Sequence, residues 1–277
     1  VIAVVGATGH VGGEVVAQLA ATGVPVRALT RRPDGWTGPA VEVADVAAFG
    51  AFAGARAAFL MTAEPIVPGG RPEVLGSLVR AAVDAGVEQL VLLSVFSGSA
   101  GDDVLGYWNA ACETLVVDSG VPWTLLRPGR FFSNALAWAR FVGDGSVPVG
   151  FARRAAAGID PADVAAVAVR GLTGDLVGAA PRLTGPESLT PLEELRVLGE
   201  VLGRPLTACE IDPDAVARGM LAGGTAPEVV DAVVARTLHD DEGAEPLPAV
   251  RTLLGREPRR FADWARAHAT AFATPAD

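Results

Sequence analysis

The chain opens Val1-Ile-Ala-Val-Val-Gly6-Ala-Thr-Gly9-His-Val-Gly12-Gly13, and this stretch decides the fold. An uninterrupted apolar run, Val1 to Val5, enters a turn with glycines at positions 6, 9 and 12. An amphipathic segment follows, with Val11, Val15, Val16, Leu19 and Ala20 at helical spacing. Strand, glycine turn and helix in that order form the phosphate-binding corner of a dinucleotide site. Gly6 makes the tight turn, Gly9 lets the backbone approach a pyrophosphate, and Gly12 lets the helix sit close on its strand. The helix N-terminus then offers unbonded N–H groups and a partial positive charge to the anion.

Working outward, Val24 to Leu29 reads as a second strand, followed by Thr30-Arg31-Arg32. An NAD-preferring site places a carboxylate about 20 residues past the glycines to hold the ribose 2′-hydroxyl. Here two arginines stand nearby instead, and a planar cationic fork suits a 2′-phosphate. The expected cofactor is NADP(H) in preference to NAD(H).

Further strand-like runs are Ala40–Val43, Ala57–Met61, Gln89–Val95 and Trp123–Arg127, with helices over Pro72–Ala85 and Asp103–Asp118 between them. Strands alternating with helices predict a parallel sheet wound on both faces, with right-handed crossovers. The fold class is α/β: a Rossmann-type doubly wound parallel sheet with a smaller, mostly helical C-terminal substrate lobe. Residues 1–130 form the core, to which 155–185 return, including a helix over Asp160–Leu172 and a short strand at Arg182–Gly185. Residues 131–154 and 186–277 form the lobe, with helices at Pro191–Leu202, Asp212–Leu221, Pro227–Ala235 and Pro258–Phe272. Asp240–Pro248 reads as an exposed loop.

The 277 residues, half of them hydrophobic, suffice for a sizeable core. No apolar run reaches the length of a membrane span, and no leader pattern precedes the first strand. Two distant cysteines, Cys112 and Cys209, fit a reducing cytoplasm. Three scattered histidines give no metal spacing, and a net charge of −10 excludes nucleic acid as a partner. All 22 basic residues are arginine, so no lysine-dependent mechanism operates. The expected partner is a small molecule, and the chain is read as a monomer or homodimer. No Gly-x-Ser-x-Gly elbow signals a hydrolase.

Several blocks together resemble the NmrA-like, NAD(P)H quinone oxidoreductase-like branch of the atypical short-chain dehydrogenases/reductases. They are Gly6–Gly12, Ser119–Asn134, Ile159–Ala165, Thr184–Thr190 and Pro258–Trp264. The resemblance implies that Gly6, Thr8, Gly9, His10, Val11 and Gly12 line the pyrophosphate and that Arg31 and Arg32 meet the 2′-phosphate. It puts Asp45 and Val46, after the third strand, beside the adenine, and Met61, Thr62 and Ala63 at the ribose. Ser94 to Phe96 would end the fifth strand near the nicotinamide.

The superfamily's Tyr-x-x-x-Lys pair is missing. Tyr107 is the chain's single tyrosine, and its +4 position is Ala111; aligned on Glu113 instead, the pair becomes Leu105 and Asn109. Leu105, Trp108, Asn109 and Cys112 share one broad helix face, with Tyr107 pointing elsewhere. Candidate catalytic residues are therefore Asn109, Tyr107 and Ser94, and Asn109 offers a hydrogen bond but no strong acid. Hydride addition to an isolated ketone needs a positioned acid, worth about 10²–10⁴-fold; a quinone or conjugated enone does not. Phe96, Trp108, Phe131, Phe132 and Trp138 suggest a flat apolar substrate, oriented by Asn134. The expected activity is reduction of a conjugated aromatic, quinone-like or polyketide-like acceptor. A redox-silent NADP(H)-sensing regulator and a non-redox cyclase or isomerase stand as alternatives.

Overall fold

The computed structural model describes residues 1–61, 72–97, 103–239 and 243–273. The chain begins β1 (Ile2–Val5), α1 (His10–Ala21), β2 (Val26–Thr30), β3 (Glu42–Asp45), β4 (Ala57–Met61), α2 (Pro72–Asp84), β5 (Gln89–Leu93), α3 (Val104–Val117) and β6 (Trp123–Pro128). It continues α4 (Ala139–Val142), β7 (Ser146–Gly150), α5 (Pro161–Leu172), β8 (Arg182–Leu183), α6 (Pro191–Val201), β9 (Thr207–Ile211), α7 (Pro213–Ala222), α8 (Pro227–His239), α9 (Ala249–Leu254) and α10 (Phe261–Ala267). Two compact units share it: Val1–Pro128 with Pro161–Leu183, and Gly129–Asp160 with Thr184–Asp277.

In the first unit β1 and β5 are buried along their whole length, as expected of central parallel strands covered on both faces. The sheet order is β3-β2-β1-β4-β5-β6-β8, every pairing parallel. The order reverses between β1 and β4, and open α/β sheets bind ligands at such a switch point, outside the carboxyl ends of the strands. One sheet face carries Ala3, Val5, Ala58, Leu60, Leu90 and Leu92, which pack with Leu75 and Val79 of α2 and with Cys112 and Val116 of α3. On the other face α1 lies beside α5, joined by a hydrogen bond from Gln18 Nε2 to the Ala162 carbonyl at 2.9 Å.

The third strand lies two residues later than its apolar run suggests. β2 sets its register, pairing Arg27 with Glu42 and Thr30 with Asp45, and Arg27 Nε donates to Glu42 Oε1 at 2.7 Å. Asp45 is thus the last residue of β3 rather than a residue beyond it.

The second unit is built around Phe132, Val142, Val147, Val149, Leu195, Leu198, Phe261, Trp264 and Phe272. Phe132 meets Phe261 edge-on at 5.3 Å, and Phe261 stacks on Trp264 at 5.5 Å. A parallel pair, β7 with β9, and the short α9 occur where the sequence predicted neither strand nor helix. Residues 155–160, expected with the core, belong to the second unit. Phe131 bridges Ile159, Ala156 bridges Leu189, and a Cβ on Gly185 would come within 2.0 Å of the Gly158 carbonyl oxygen. Much of the expected loop after α8 is anchored: Gly243 accepts from the Ala157 N–H at 2.8 Å, and the Leu247 N–H donates to the buried Thr184 hydroxyl at 2.7 Å. Asp240, Asp241 and Glu242 lie outside the described residues.

Candidate nucleotide and hydride-acceptor site

The turn after β1 is shaped by close approaches. Gly6 sits at φ +71°, and a Cβ there would come within 2.0 Å of Met61 Sδ at the end of β4. The turn after β1 and the end of β4, which flank the switch point, therefore touch through a glycine and a thioether. A Cβ on Gly12 would stand 2.2 Å from the Gly6 carbonyl oxygen, which is how α1 comes so close to β1. The Gly9 N–H closes the turn onto the Gly6 carbonyl at 2.9 Å, and the Gly13 N–H begins the helical ladder onto Gly9 at 2.8 Å. Gly9 caps α1 without a side chain. The N–H groups of His10, Val11 and Gly12 find no backbone acceptor among the described residues, as the first turn of a helix requires. Thr8, Gly9 and His10 are exposed beside them, while the Val11 side chain is buried. Close glycines and free donors fit the diphosphate of a dinucleotide, which needs backbone approach and N–H groups rather than side chains.

At the end of β2, Thr30 is buried and its hydroxyl accepts from the Arg32 N–H at 3.3 Å. Arg31 and Arg32 are exposed, and neither guanidinium has an ion-pair partner among the described residues. Asp45 Oδ1 accepts from the Ala47 N–H at 2.9 Å, so this carboxylate shapes its own turn; the Val46 N–H bonds the Thr30 carbonyl at 3.1 Å. Thr62 and Ala63 lie outside the described residues.

Beyond β5 the polar groups converge. Ser94 is buried, and its hydroxyl donates to Glu113 Oε1 at 2.7 Å. Arg127, on β6, grips the same carboxylate through Nε at 2.9 Å and Nη2 at 2.6 Å, and Glu113 in turn raises the guanidinium pKa through that hydrogen bond. Sequence reasoning used Glu113 only to set a register and assigned no role to Arg127. The residues lie 14 and 19 positions apart on different elements, and local patterning carries no signal for such a cluster. Asp103 caps α3, accepting from the Gly106 N–H at 2.9 Å. Along that helix Asn109 and Cys112 are buried, Trp108 is half-buried and Tyr107 is 66% exposed. Burial, followed by the charges of Glu113 and Glu73, pushes the Cys112 thiol up to about 11, leaving it an inert packing group. Phe96 is half-buried, with the Arg182 guanidinium 5.1 Å above its ring.

One of these positions departs from the sequence expectation: the Ser94 hydroxyl hydrogen is committed to Glu113, so Ser94 cannot give it to a substrate while that bond stands. Tyr107 stands out from the helix face that carries Asn109, as its helical spacing predicts, so it lies away from that face as a candidate acid.

In the second unit, Phe132 is 2% exposed and enclosed by Phe261 and Trp264. It is a core residue with no face left for substrate, a correction to its expected role. Phe131 is half-buried, Trp138 packs against the same core, and Asn134 is exposed. Among the described residues no His/Cys/Asp/Glu cluster could hold a metal, and no helix is long and apolar enough to cross a membrane.

The sheet order and the glycine corner define a Rossmann-type dinucleotide-binding protein. A family model described as NAD(P)H-binding matches residues 6–175. A (4-alkanoyl-5-oxo-2,5-dihydrofuran-3-yl)methyl phosphate reductase from Streptomyces griseus is 41% identical, the match covering 98% of this chain and 99% of the relative. An NAD(P)H azoreductase from Xenophilus azovorans is 33% identical, with the same coverage. Among solved structures, the Escherichia coli NADPH-dependent quinone oxidoreductase complexed with NADPH shares the fold at a TM-score of 0.78 and 23% identity, covering 98% of this chain and 100% of that one. The Citrobacter sp. triphenylmethane reductase complexed with NADP(H) does so at 0.71 and 21%, covering 95% and 99%. The chain belongs to the NAD(P)H-binding family and is an oxidoreductase.

Proposed function

We propose that this protein is an NADPH-dependent reductase of a small, electron-poor conjugated acceptor, a quinone or an α,β-unsaturated carbonyl compound of polyketide type. One observation carries the reading: the diphosphate corner is intact while the groups that would protonate an alkoxide are missing. Tyr107 is exposed, and the chain has no lysine to pair with it. The Streptomyces relative supports it, because its named substrate has a carbon–carbon double bond conjugated to two carbonyls.

Gly6, Thr8, Gly9, His10, Val11 and Gly12 hold the diphosphate, chiefly through backbone N–H groups. Arg31 and Arg32 hold the 2′-phosphate, Asp45 and Val46 border the adenine, and Met61 borders the ribose. Bound there, the reduced coenzyme would supply a hydride to the acceptor, at the carbon β to the carbonyl in an enone; the displaced π pair would rest on the carbonyl oxygen, and water would supply the proton. Phe96 and Trp108 flank the flat acceptor. The product-side charge is delocalised, so no strong acid is required.

The test is a fluorescence titration with NADPH and NADH, followed by nicotinamide absorbance with menadione and an alkanoyl butenolide as acceptors. Tighter NADPH binding and oxidation with at least one acceptor are expected. Binding without oxidation across quinones and enones would overturn the reading and favour a redox-silent sensor.

A further inference from the structure

The strongest unexplained feature is the carboxamide of Asn109. The residue is 5% exposed, yet no hydrogen bond to its side chain occurs among the described residues, and a buried amide without a partner is costly. Among the described residues no side-chain nitrogen or oxygen sealed from solvent lacks a partner. The Asn109 amide must therefore reach accessible space at its tip, as a group lining an opening does.

Its place on α3 says which opening. The helix follows β5, so its N-terminal end lies toward the carboxyl edge of the parallel sheet, where such folds bind ligands. Asn109 sits one turn nearer that end than Glu113, and helical side chains lean toward the N-terminus. Glu113 in turn receives the Ser94 hydroxyl at the end of β5. Both oxygens of that carboxyl group accept from Arg127, and the Ser94 hydroxyl donates to Oε1, so Ser94 keeps only lone pairs for anything else. Near this end of β5, α3 thus offers an uncommitted N–H₂ donor one helical turn from the carboxylate that fixes the Ser94 hydroxyl as an acceptor.

We infer that Asn109 donates the hydrogen bond that binds the activating carbonyl oxygen of the conjugated acceptor, while the Glu113–Arg127 clamp holds Ser94 as an acceptor only. The inference rests on the proposed reduction. The oxygen that gathers the displaced electron pair needs a donor already in place, and a carboxamide provides one that does not titrate. Glu113 and Arg127 are positioning residues: they act through Ser94.

The experiment has two arms on the full chain. In the first, the Asn109 side-chain N–H₂ resonances, assigned through the backbone, are followed while menadione is added in the presence of NADP⁺, where no turnover occurs. A downfield shift is expected. In the second, the pH dependence of kcat and KM is measured with menadione for the wild type, Asn109→Ala and Asn109→Asp. The wild-type kcat should be flat between about pH 6 and 9, where an amide has no proton to lose. Asn109→Ala should lose about 100-fold in kcat at every pH, the size seen when a single oxyanion donor is removed. Asn109→Asp should work when protonated and fall tenfold per pH unit above its own pKa, which a purely structural role would not produce. Unmoved amide resonances, an Ala variant within threefold of the wild type, or an Asp variant with a flat profile would each overturn the inference. If the wild type oxidises no NADPH with any acceptor, the proposed reduction fails, and the resonance titration still decides whether Asn109 binds a carbonyl. If a variant does not fold, that titration on the wild type decides alone.

Discussion

Two arginines three residues apart, one on each side of the boundary at Pro128, do the same chemistry to different ends. Arg127 closes its fork on Glu113 in the first unit, and Arg130 closes its fork on Glu194 in the second. Glu113 also receives the Ser94 hydroxyl. Glu194, 1% exposed, receives only its arginine among the described residues, and burial raises its pKa despite the Arg130 charge and hydrogen bonds. A buried pair of this kind seldom stabilises much against an apolar alternative, but breaking it by removing one partner is expensive. The first pair is tied to a hydroxyl at the end of β5, and the second holds Glu194 of α6 beside a hydrophobic core. The comparison teaches that the same motif reaches a polar group at the carboxyl edge of the sheet in one unit and is scaffolding in the other.

The largest expected effect probes the scaffolding pair. Arg130→Met strands the Glu194 carboxylate and should cost about 3–5 kcal/mol of stability, read by denaturant unfolding. The double variant Arg130→Met/Glu194→Leu should recover most of that loss. If it does not, the pair is more than scaffolding. The pH dependence follows from the raised pKa of Glu194. The folded state holds the proton more tightly, so this contribution is fully present below the unfolded value of about 4.3 and is lost as pH rises through the folded value. The stability difference between the wild type and Glu194→Gln should therefore favour the wild type more at the acid end of that window than at neutrality.

Next come two glycines, one per unit. An Ala at position 12 drives its Cβ toward the Gly6 carbonyl oxygen, and an Ala at 185 does the same to Gly158. Each should cost about 1–3 kcal/mol through overpacking. Only Gly12→Ala should weaken NADPH binding, as measured by titration. An equal loss of coenzyme affinity in Gly185→Ala would erase the contrast between the units. Smaller again, Arg31→Ala with Arg32→Ala should weaken NADPH binding about tenfold, close to 1.4 kcal/mol, and leave NADH binding unchanged. The smallest effect is expected at the start of α6. There Thr190 and Glu193 form a reciprocal capping box, and Thr190→Ala should cost about 1 kcal/mol.

The first unit was legible in the sequence because its central strands are covered on both faces and so appear as unbroken apolar runs bounded by glycine turns. Its edge was less so: β3 takes its register from β2, and the pairing from Arg27–Glu42 to Thr30–Asp45 places it. In the second unit, β7 alternates over only two buried residues, Val147 and Val149, and Pro148 between them argues against a strand; β9 exposes the adjacent Cys209 and Glu210 and so does not alternate. The run Phe131-Phe132-Ser133-Asn134 announces aromatic density without saying which ring turns inward, and Phe132 does. At the site, the glycine corner was readable because one contiguous stretch builds it. The Ser94–Glu113–Arg127 cluster was not, because it exists only once three elements have come together.

The interleaved segments also set an order of events during synthesis. Every strand of the large sheet has been synthesised once Leu183 is added, so that unit can close as soon as β8 clears the ribosome. Phe132 must wait for Phe261 and Trp264, roughly 130 residues downstream, which at ribosomal speeds is on the order of ten seconds. During that interval the nascent chain carries an unshielded aromatic stretch, and chaperone capture should concentrate there.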